Sequence, residues 1–518
     1  MITNLNTKIN NISVLGIWGI FFIYSVLISL VIQLIILPYL GPEYHHGDGQ
    51  LMGGDWGLYQ SLAVQESNKI NQFGWSVWKL KSQDSMHMSL IGVISAIYSF
   101  FGTQKPYILI PLFSTFHSIG AVCILMIIEK LSLTRNIAFF SALPYLIFPS
   151  SLLWVTQILK DVFSLNGSLM ALYGLIILFG LVKAQPLKVQ FKEYVSSLIF
   201  IFCGLITVWI AREYMVSILL IFILFIFLIL NIFLITSIVK RKITILPSLS
   251  LIIFQFFVIS LINNLPNSNF TDIQIGGFPP SIVNYSDSQA TELERLAYQT
   301  DYEEYEAKIL ETQAEQVSYL NQTSIQEELV ESVKVPQVNS EKFDLLKQRK
   351  HWEESIFLPN IIDLQFKKLY LNRTYFHQYN FTSNSAVDYE LDINSFLSMI
   401  KYLPRATQIA FLAPFPSSWL STYPSSKSGL MYKISGLEML FIYVSLVGTI
   451  CALYIWRKKI EIWVMLSFSL YFGLVYTFAF PNVGALVRYR YAALMLLVAI
   501  GLAAFAYIYS NKKYTKNE

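Results

Sequence analysis

Long uninterrupted apolar runs dominate the chain, and they are too long to be strands. The run over 216–238 is one example. A buried strand needs about four to eight apolar residues, whereas a helix crossing a bilayer core about 30 Å thick needs roughly 20. Reading the runs in this way predicts about ten transmembrane helices, over residues 12–37, 106–128, 134–155, 161–182, 194–211, 214–238, 243–263, 434–455, 460–480 and 487–509. Between the first two runs, the loop 38–105 holds two short amphipathic stretches, 57–67 and 87–101. The second is too short and too flanked by polar residues to span, so it reads as an interfacial helix. Between the seventh and eighth runs the pattern changes. Residues 287–333, rich in Glu, Gln and Ala, read as an exposed helix, and 343–415 as a more aromatic, compact piece. Within 401–419, Pro404, Pro414 and Pro416 interrupt an apolar context, which predicts a broken helix lying against the membrane.

The expected fold is therefore an all-α polytopic membrane protein with a large α-rich insertion between spans seven and eight. Its parts are a seven-span core (1–263, with first loop 38–105), an acidic insertion (264–432) and three C-terminal spans with a tail (433–518). The first run exceeds a signal-peptide core and has no small-residue cleavage site before Pro38, so it reads as a retained anchor. No internal repeat is visible, which counts against a transporter built from inverted halves.

Composition agrees with this pattern. Apolar residues make up 54% and charged residues 14%, against about 25% charge in a soluble domain, which argues against a soluble globular enzyme and excludes collagen-like, disordered and disulfide-stapled classes. Cys123, Cys203 and Cys451 all fall in apolar runs, and no CxxC pair exists. The net charge of +4 hides a division: 264–432 carries 21 acidic and 13 basic residues, while the remainder carries 12 acidic and 24 basic. With the N-terminus cytoplasmic, each inner segment is basic, including Lys130 with Arg135, Lys240 to Lys242, and Arg457 to Lys459. This satisfies the positive-inside rule, puts both termini inside and puts the acidic insertion outside.

That orientation shows where the expensive polar residues point. Lys160 and Asp161 lie between the third and fourth runs, Arg212, Glu213 and Tyr214 between the fifth and sixth, and Arg488 and Arg490 at the start of the last. The first loop adds Glu43, His45, His46, Asp48, Asp55 and Tyr59. All converge on the extracytoplasmic face. Cations beside carboxylates at one membrane surface suit an anionic lipid phosphate, with arginine forking onto phosphate oxygens. A carboxylate opposite them can act as general base. The plainer alternatives are that Asp161 caps a helix and that Arg488 and Arg490 anchor a span at the headgroups. Asp55 and Tyr59 lie one helical turn apart, with glycines at 53, 54 and 57 allowing close backbone approach; a capping turn has the same pattern. His45, His46 and Asp48 are a weak metal set without a third distant ligand, and no metal or other cofactor is expected. His87, His117, His351 and His377 read as structural. Arg405 is a further candidate for headgroup or phosphate contact.

These features, and the strings GGDWGLYQSLA (53–63), WVTQILKDVFSLNGSLMALYGL (154–175), REY (212–214), KYLPRATQIAFLAPFPSSW (401–419) and NVGALVRYRYAALMLLVAIGLA (482–503), resemble the GT-C superfamily of membrane glycosyltransferases. The resemblance is to the bacterial branch, and the superfamily includes protein O-mannosyltransferases and lipid A aminoarabinose transferases. It implies transfer of a sugar from a polyprenyl-phosphate carrier to an acceptor hydroxyl on a glycan, lipid or protein, at the outer face of a bacterial inner membrane. It also implies that Asp55 is the catalytic base, with Asp48 in reserve and Tyr59 and His46 as support in the first loop. Lys160, Asp161, Arg212, Tyr214, Arg488 and Arg490 would form the donor-phosphate site. The chain lacks the Asp-Glu pair of the O-mannosyltransferases. Two other readings are a flippase for a lipid-linked saccharide and a non-catalytic subunit of a polysaccharide assembly system. Nucleic acid is not an expected partner.

Overall fold

The computed structural model describes residues 9–51, 55–82, 88–182, 187–239, 252–253, 255–256, 351–379, 385–419 and 426–514. The chain enters through α1 (Val14–Val31), which continues as a π-helix over Ile32–Leu40 and leads to a hairpin of β1 (His45–Gly47) and β2 (Gln50–Leu51). The first loop then holds α2 (Asp55–Phe73) and α3 (Ser89–Phe101). There follow α4 (Ile110–Glu129), α5 (Arg135–Ile147), α6 (Pro149–Thr156), α7 (Asp161–Val182), α8 (Leu187–Ala211) and α9 (Glu213–Val239). After α10 (Asn360–Tyr379) come α11 (Phe396–Leu412), α12 (Pro416–Trp419), α13 (Ser426–Trp456), α14 (Ile460–Ala479), α15 (Val483–Tyr489) and α16 (Tyr491–Tyr514). Among the described residues, eight helices are long and apolar enough to cross a bilayer: α1 with its π extension, α4, α7, α8, α9, α13, α14 and α16. The protein is an all-α integral membrane protein of many passes. The expected span 243–263, apart from 252–253 and 255–256, the expected helix 287–333, Gly53, Gly54 and His87 lie outside the described residues.

The run 134–155 is not the single span its hydropathy suggests. It is two helices, α5 and α6, that meet at 62°. Pro149 has no N–H to donate to the Tyr145 carbonyl one turn back, so the helix breaks there. That carbonyl instead accepts from His117 Nε2 (3.2 Å) and Tyr491 Oη (3.2 Å). Since a carbonyl only accepts, His117 carries its proton on Nε2, and its Nδ1 accepts from Ser25 (3.1 Å). The expected role of His117 as a structural residue thus has a specific content: it rejoins α1, α4 and the break.

Pro404 departs from expectation in the other direction, because α11 runs through it without interruption. The break in 401–419 falls later, between Leu412 and Pro416. The two amphipathic stretches of the first loop are helical, with the first longer than its apolar pattern suggests.

Helices α7 and α8 pack in backbone contact. A Cβ placed on Gly204 would lie 2.5 Å from the Gly167 carbonyl oxygen, and one on Gly167 would lie 2.6 Å from that of Gly204. At the bundle end that carries the α4–α5 turn, Arg135 bonds Glu129 (2.6 Å) and the Ile12 carbonyl (2.7 Å), while Lys459 bonds the Leu131 carbonyl (2.6 Å) and Ser132 (2.7 Å).

By its internal contacts the chain divides into Met1–Ile275 with Leu397–Glu518, and Gly276–Phe396. Residues 397–432 therefore fall with the bundle, where the sequence pattern grouped them with the insertion. In the second unit, Trp352 Nε1 donates to Asp363 of α10 (2.9 Å), and Glu353 pairs with Ser395 in an isolated bridge. His377 is buried there with its ring 4.7 Å from that of Tyr389.

Overpacking the α7–α8 contact should be costly. Gly204→Val is expected to destabilise the protein by about 1–3 kcal/mol, read as a lowered unfolding temperature in detergent, whereas Gly19→Val, where an added Cβ meets nothing within 4 Å, should leave it unchanged.

Candidate functional site

The end of the bundle opposite Arg135 and Lys459 is assembled from four chain turns. The α6–α7 turn supplies Gln157, Lys160 and Asp161, the α8–α9 turn supplies Arg212 and Tyr214, the end of α15 supplies Arg488 and Tyr489, and the start of α2 supplies Asp55 and Tyr59. The first loop is fastened to the α6–α7 turn. Leu51 N donates to Gln157 Oε1 (3.0 Å), and Gln157 Nε2 donates to the Gly49 carbonyl (3.4 Å). Gln33 of the π-helix donates to the Thr156 carbonyl. Gly49 is required here twice: its φ is +75°, and an added Cβ would lie 2.7 Å from Gln33.

The centre of the cluster is a buried ion pair. Arg212 Nη2 donates to Asp161 Oδ1 at 2.9 Å, with side-chain exposures of 7% and 1%. Arg212 Nη1 donates to Tyr214 Oη (2.7 Å), and its guanidinium stacks 4.3 Å above the Tyr489 ring. Burial, the largest influence, works against the charge on Arg212, but the Asp161 carboxylate, Tyr214 and Tyr489 together outweigh it and raise the pKa above the ordinary arginine value. Asp161 is the first residue of α7, so its carboxylate also meets the positive end of that helix.

Around this pair lie three groups that are less committed. Arg488 Nη1 is 3.6 Å from Asp55 Oδ2 and 3.9 Å from Asp161 Oδ2, between the two carboxylates and beyond hydrogen-bond range of both. Asp161 Oδ2 is buried without a hydrogen-bond partner. Lys160 Nζ sits 4.9 Å from the centroid of the Tyr59 ring, and its side chain makes no hydrogen bond or ion pair among the described residues. Burial first, and then Arg212, lower the Lys160 pKa to about 8; Asp55 and Asp161 work the other way. Burial and the nearby Asp55 raise the Tyr59 pKa, so it remains a phenol. Asp55 is 53% exposed. The arrangement can bind an anion on Arg488 and Lys160 while leaving Asp55 open to solvent.

Of the residues singled out in the sequence, the structure brings together Asp55, Tyr59, Lys160, Asp161, Arg212, Tyr214 and Arg488. It does not bring Arg490, Asp48 or His46 to them. Arg490 is buried, and its guanidinium donates to the carbonyls of Ile409, Ala410 and Ala413, where α11 ends. Asp48, at φ +50°, pairs with Lys105 at 2.6 Å. His46 is exposed on β1, and His45 Nε2 accepts locally from Gly49 N (3.0 Å). The Arg405 guanidinium lies 5.2 Å from the Phe415 ring centroid. Among the described residues no group of three or more His, Cys, Asp or Glu side chains is placed to hold a metal.

Sequence reading missed Tyr489 and Gln157. The alternation Arg488, Tyr489, Arg490, Tyr491 was the available sign that an aromatic separates the two arginines. No family model, curated protein or solved structure matches the chain.

Removing one member of the buried pair leaves an uncompensated charge. Asp161→Ala should cost about 3–5 kcal/mol, measured as a lowered unfolding temperature, and Asp161→Leu combined with Arg212→Met should recover most of it.

Proposed function

We propose that this protein is a membrane glycosyltransferase of GT-C type. It moves a sugar from a polyprenyl-phosphate carrier to an acceptor hydroxyl at the extracytoplasmic face of a bacterial inner membrane. The observation that carries this reading is the state of three groups at one bundle end: Arg488 and Lys160 have unspent donors, and the half-exposed Asp55 lies beside them. The positive-inside rule supports the orientation, because the opposite end carries Lys130, Arg135 and Arg457 to Lys459.

The charges suit the reaction. Asp161 and Arg212 neutralise each other, which leaves two cations and one carboxylate to meet the substrates. A sugar joined to a polyprenyl phosphate is a phosphodiester with one negative charge. The acceptor oxygen attacks the anomeric carbon, the bond from that carbon to the phosphate oxygen breaks, and the acceptor proton passes to Asp55. The departing polyprenyl phosphate gains a second charge, which Arg488 and Lys160 stabilise more strongly in the transition state than in the bound donor. Tyr59, a phenol packed under Lys160, holds the ammonium without neutralising it.

Three outcomes follow for purified protein in lipid with polyprenyl-phosphate sugars. Asp55→Asn should reduce transfer by about 10²–10⁴-fold while donor binding persists. Arg488→Ala should weaken donor binding roughly 10- to 100-fold, from the ~1.5–3 kcal/mol of a charge-assisted contact. Donor binding should also weaken as pH rises through about 8, because Lys160 is protonated below that value and neutral above it; Lys160→Arg should remove that dependence. Wild-type donor affinity in Arg488→Ala at every pH would overturn the reading.

A further inference from the structure

One ionisable group inside the bundle is not used by the cluster. Glu438 lies in the membrane-spanning part of α13 and is buried. Among the described residues no basic side chain pairs with it; instead the backbone of α6 meets it, where Ser150 N donates to Glu438 Oε1 at 2.7 Å. A carboxylate at that depth is expensive and needs a compensating interaction.

The break at Pro149 supplies it. The first N–H groups of α6 have no preceding helical turn to bond, since α5 ends at Ile147 in a different direction. Ser151 N and Leu152 N reach back to the Phe148 carbonyl (2.9 and 3.2 Å), which leaves Ser150 N for the carboxylate. Glu438 thus meets both an orphan donor and the positive end of the α6 dipole. The aromatic contact of Phe148 with Phe441, one turn beyond Glu438, closes the same junction (5.4 Å, edge-on).

What α6 carries makes this more than a cap. The helix is eight residues long, about 12 Å. Its far end leads directly into Thr156, Gln157 and Lys160, which hold the π-helix, the first-loop hairpin and the unspent ammonium. A short segment pinned at its start by Glu438 and at its end by Gln33 and Gln157 has little freedom to displace Lys160.

We propose that Glu438 is a positioning residue for the donor site, which acts by fixing the N-terminus of α6 and through it the place of Lys160. This inference rests on the donor reading given above. Its test is the steady-state kinetics of Glu438→Ala, Glu438→Gln, Lys160→Ala and the double variant Glu438→Ala/Lys160→Ala, together with amide hydrogen exchange over 149–160. In Glu438→Ala the donor KM should rise about tenfold with kcat nearly unchanged, and exchange over 149–160 should quicken. Glu438→Gln keeps an acceptor for Ser150 N and should restore much of both. The double variant should have the donor KM of Lys160→Ala alone, because the two act through one contact.

A donor KM at the wild-type value in Glu438→Ala would overturn the role while leaving the transferase reading intact. Additive effects in the double variant, or equal loss of kcat and KM with a lowered unfolding temperature in both Glu438 variants, would reduce it to packing. Wild-type protein that neither binds nor turns over any polyprenyl-phosphate sugar would remove the donor reading, and the exchange comparison would then still decide whether Glu438 holds α6.

Discussion

The ion pair between Asp161 and Arg212 is what the rest of the bundle end depends on. Each partner begins or bounds a membrane span, and neither can be buried alone. Their 2.9 Å contact draws the α6–α7 turn to the α8–α9 turn. It also neutralises two charges that would otherwise compete for whatever binds there. The guanidinium also stacks on Tyr489, and the Arg488 guanidinium lies 5.8 Å from the same ring. One buried pair thereby sets the position of three spans and of the cation that faces Asp55.

A second constraint lies deeper, at Pro149. Breaking a span inside the apolar zone frees carbonyls and N–H groups that water cannot satisfy. The structure answers two of them with side chains from other helices: His117 and Tyr491 for the Tyr145 carbonyl, Glu438 for Ser150 N. These three come from α4, α16 and α13, so the break is also a junction. The cost of a broken helix has become a set of directed contacts, where apolar packing against lipid gives little orientation.

Much of this was legible in the sequence, and the failures have physical causes. Membrane crossing was legible because it needs only length and apolarity, and eight of the expected runs are helices that can span. The break was missed because hydropathy counts side chains, and Pro144 and Pro149 are apolar enough to pass; only Pro149 breaks the chain, while Pro144 and Pro404 are accommodated inside helices. The convergence of Lys160, Asp161, Arg212 and Arg488 followed from topology alone, since loops on one side of a bundle meet. Glu438 was hidden for the opposite reason. A single acid in a long apolar helix leaves the span assignment unchanged, although its expense was the sign that it has a task.

What topology could not resolve is which charges remain available. Arg488 and Arg490 are two residues apart at the same bundle end and have the same chemistry. Arg490 caps α15 with a helical backbone, and residues two apart lie about 200° from one another around a helix, so the two guanidiniums leave the backbone in different directions. Arg490 spends its donors on three carbonyls at the end of α11, as a cation at a helix C-terminus does. Arg488 remains 3.6 Å and 3.9 Å from two carboxylates, attracted by both and hydrogen-bonded to neither. Hydrogen-bond expenditure, more than formal charge, therefore separates a structural arginine from one that can receive a ligand. The same criterion separates Asp48, paired with Lys105 at 2.6 Å, from Asp55, whose partner cation Arg488 stands 3.6 Å away, beyond hydrogen-bond range.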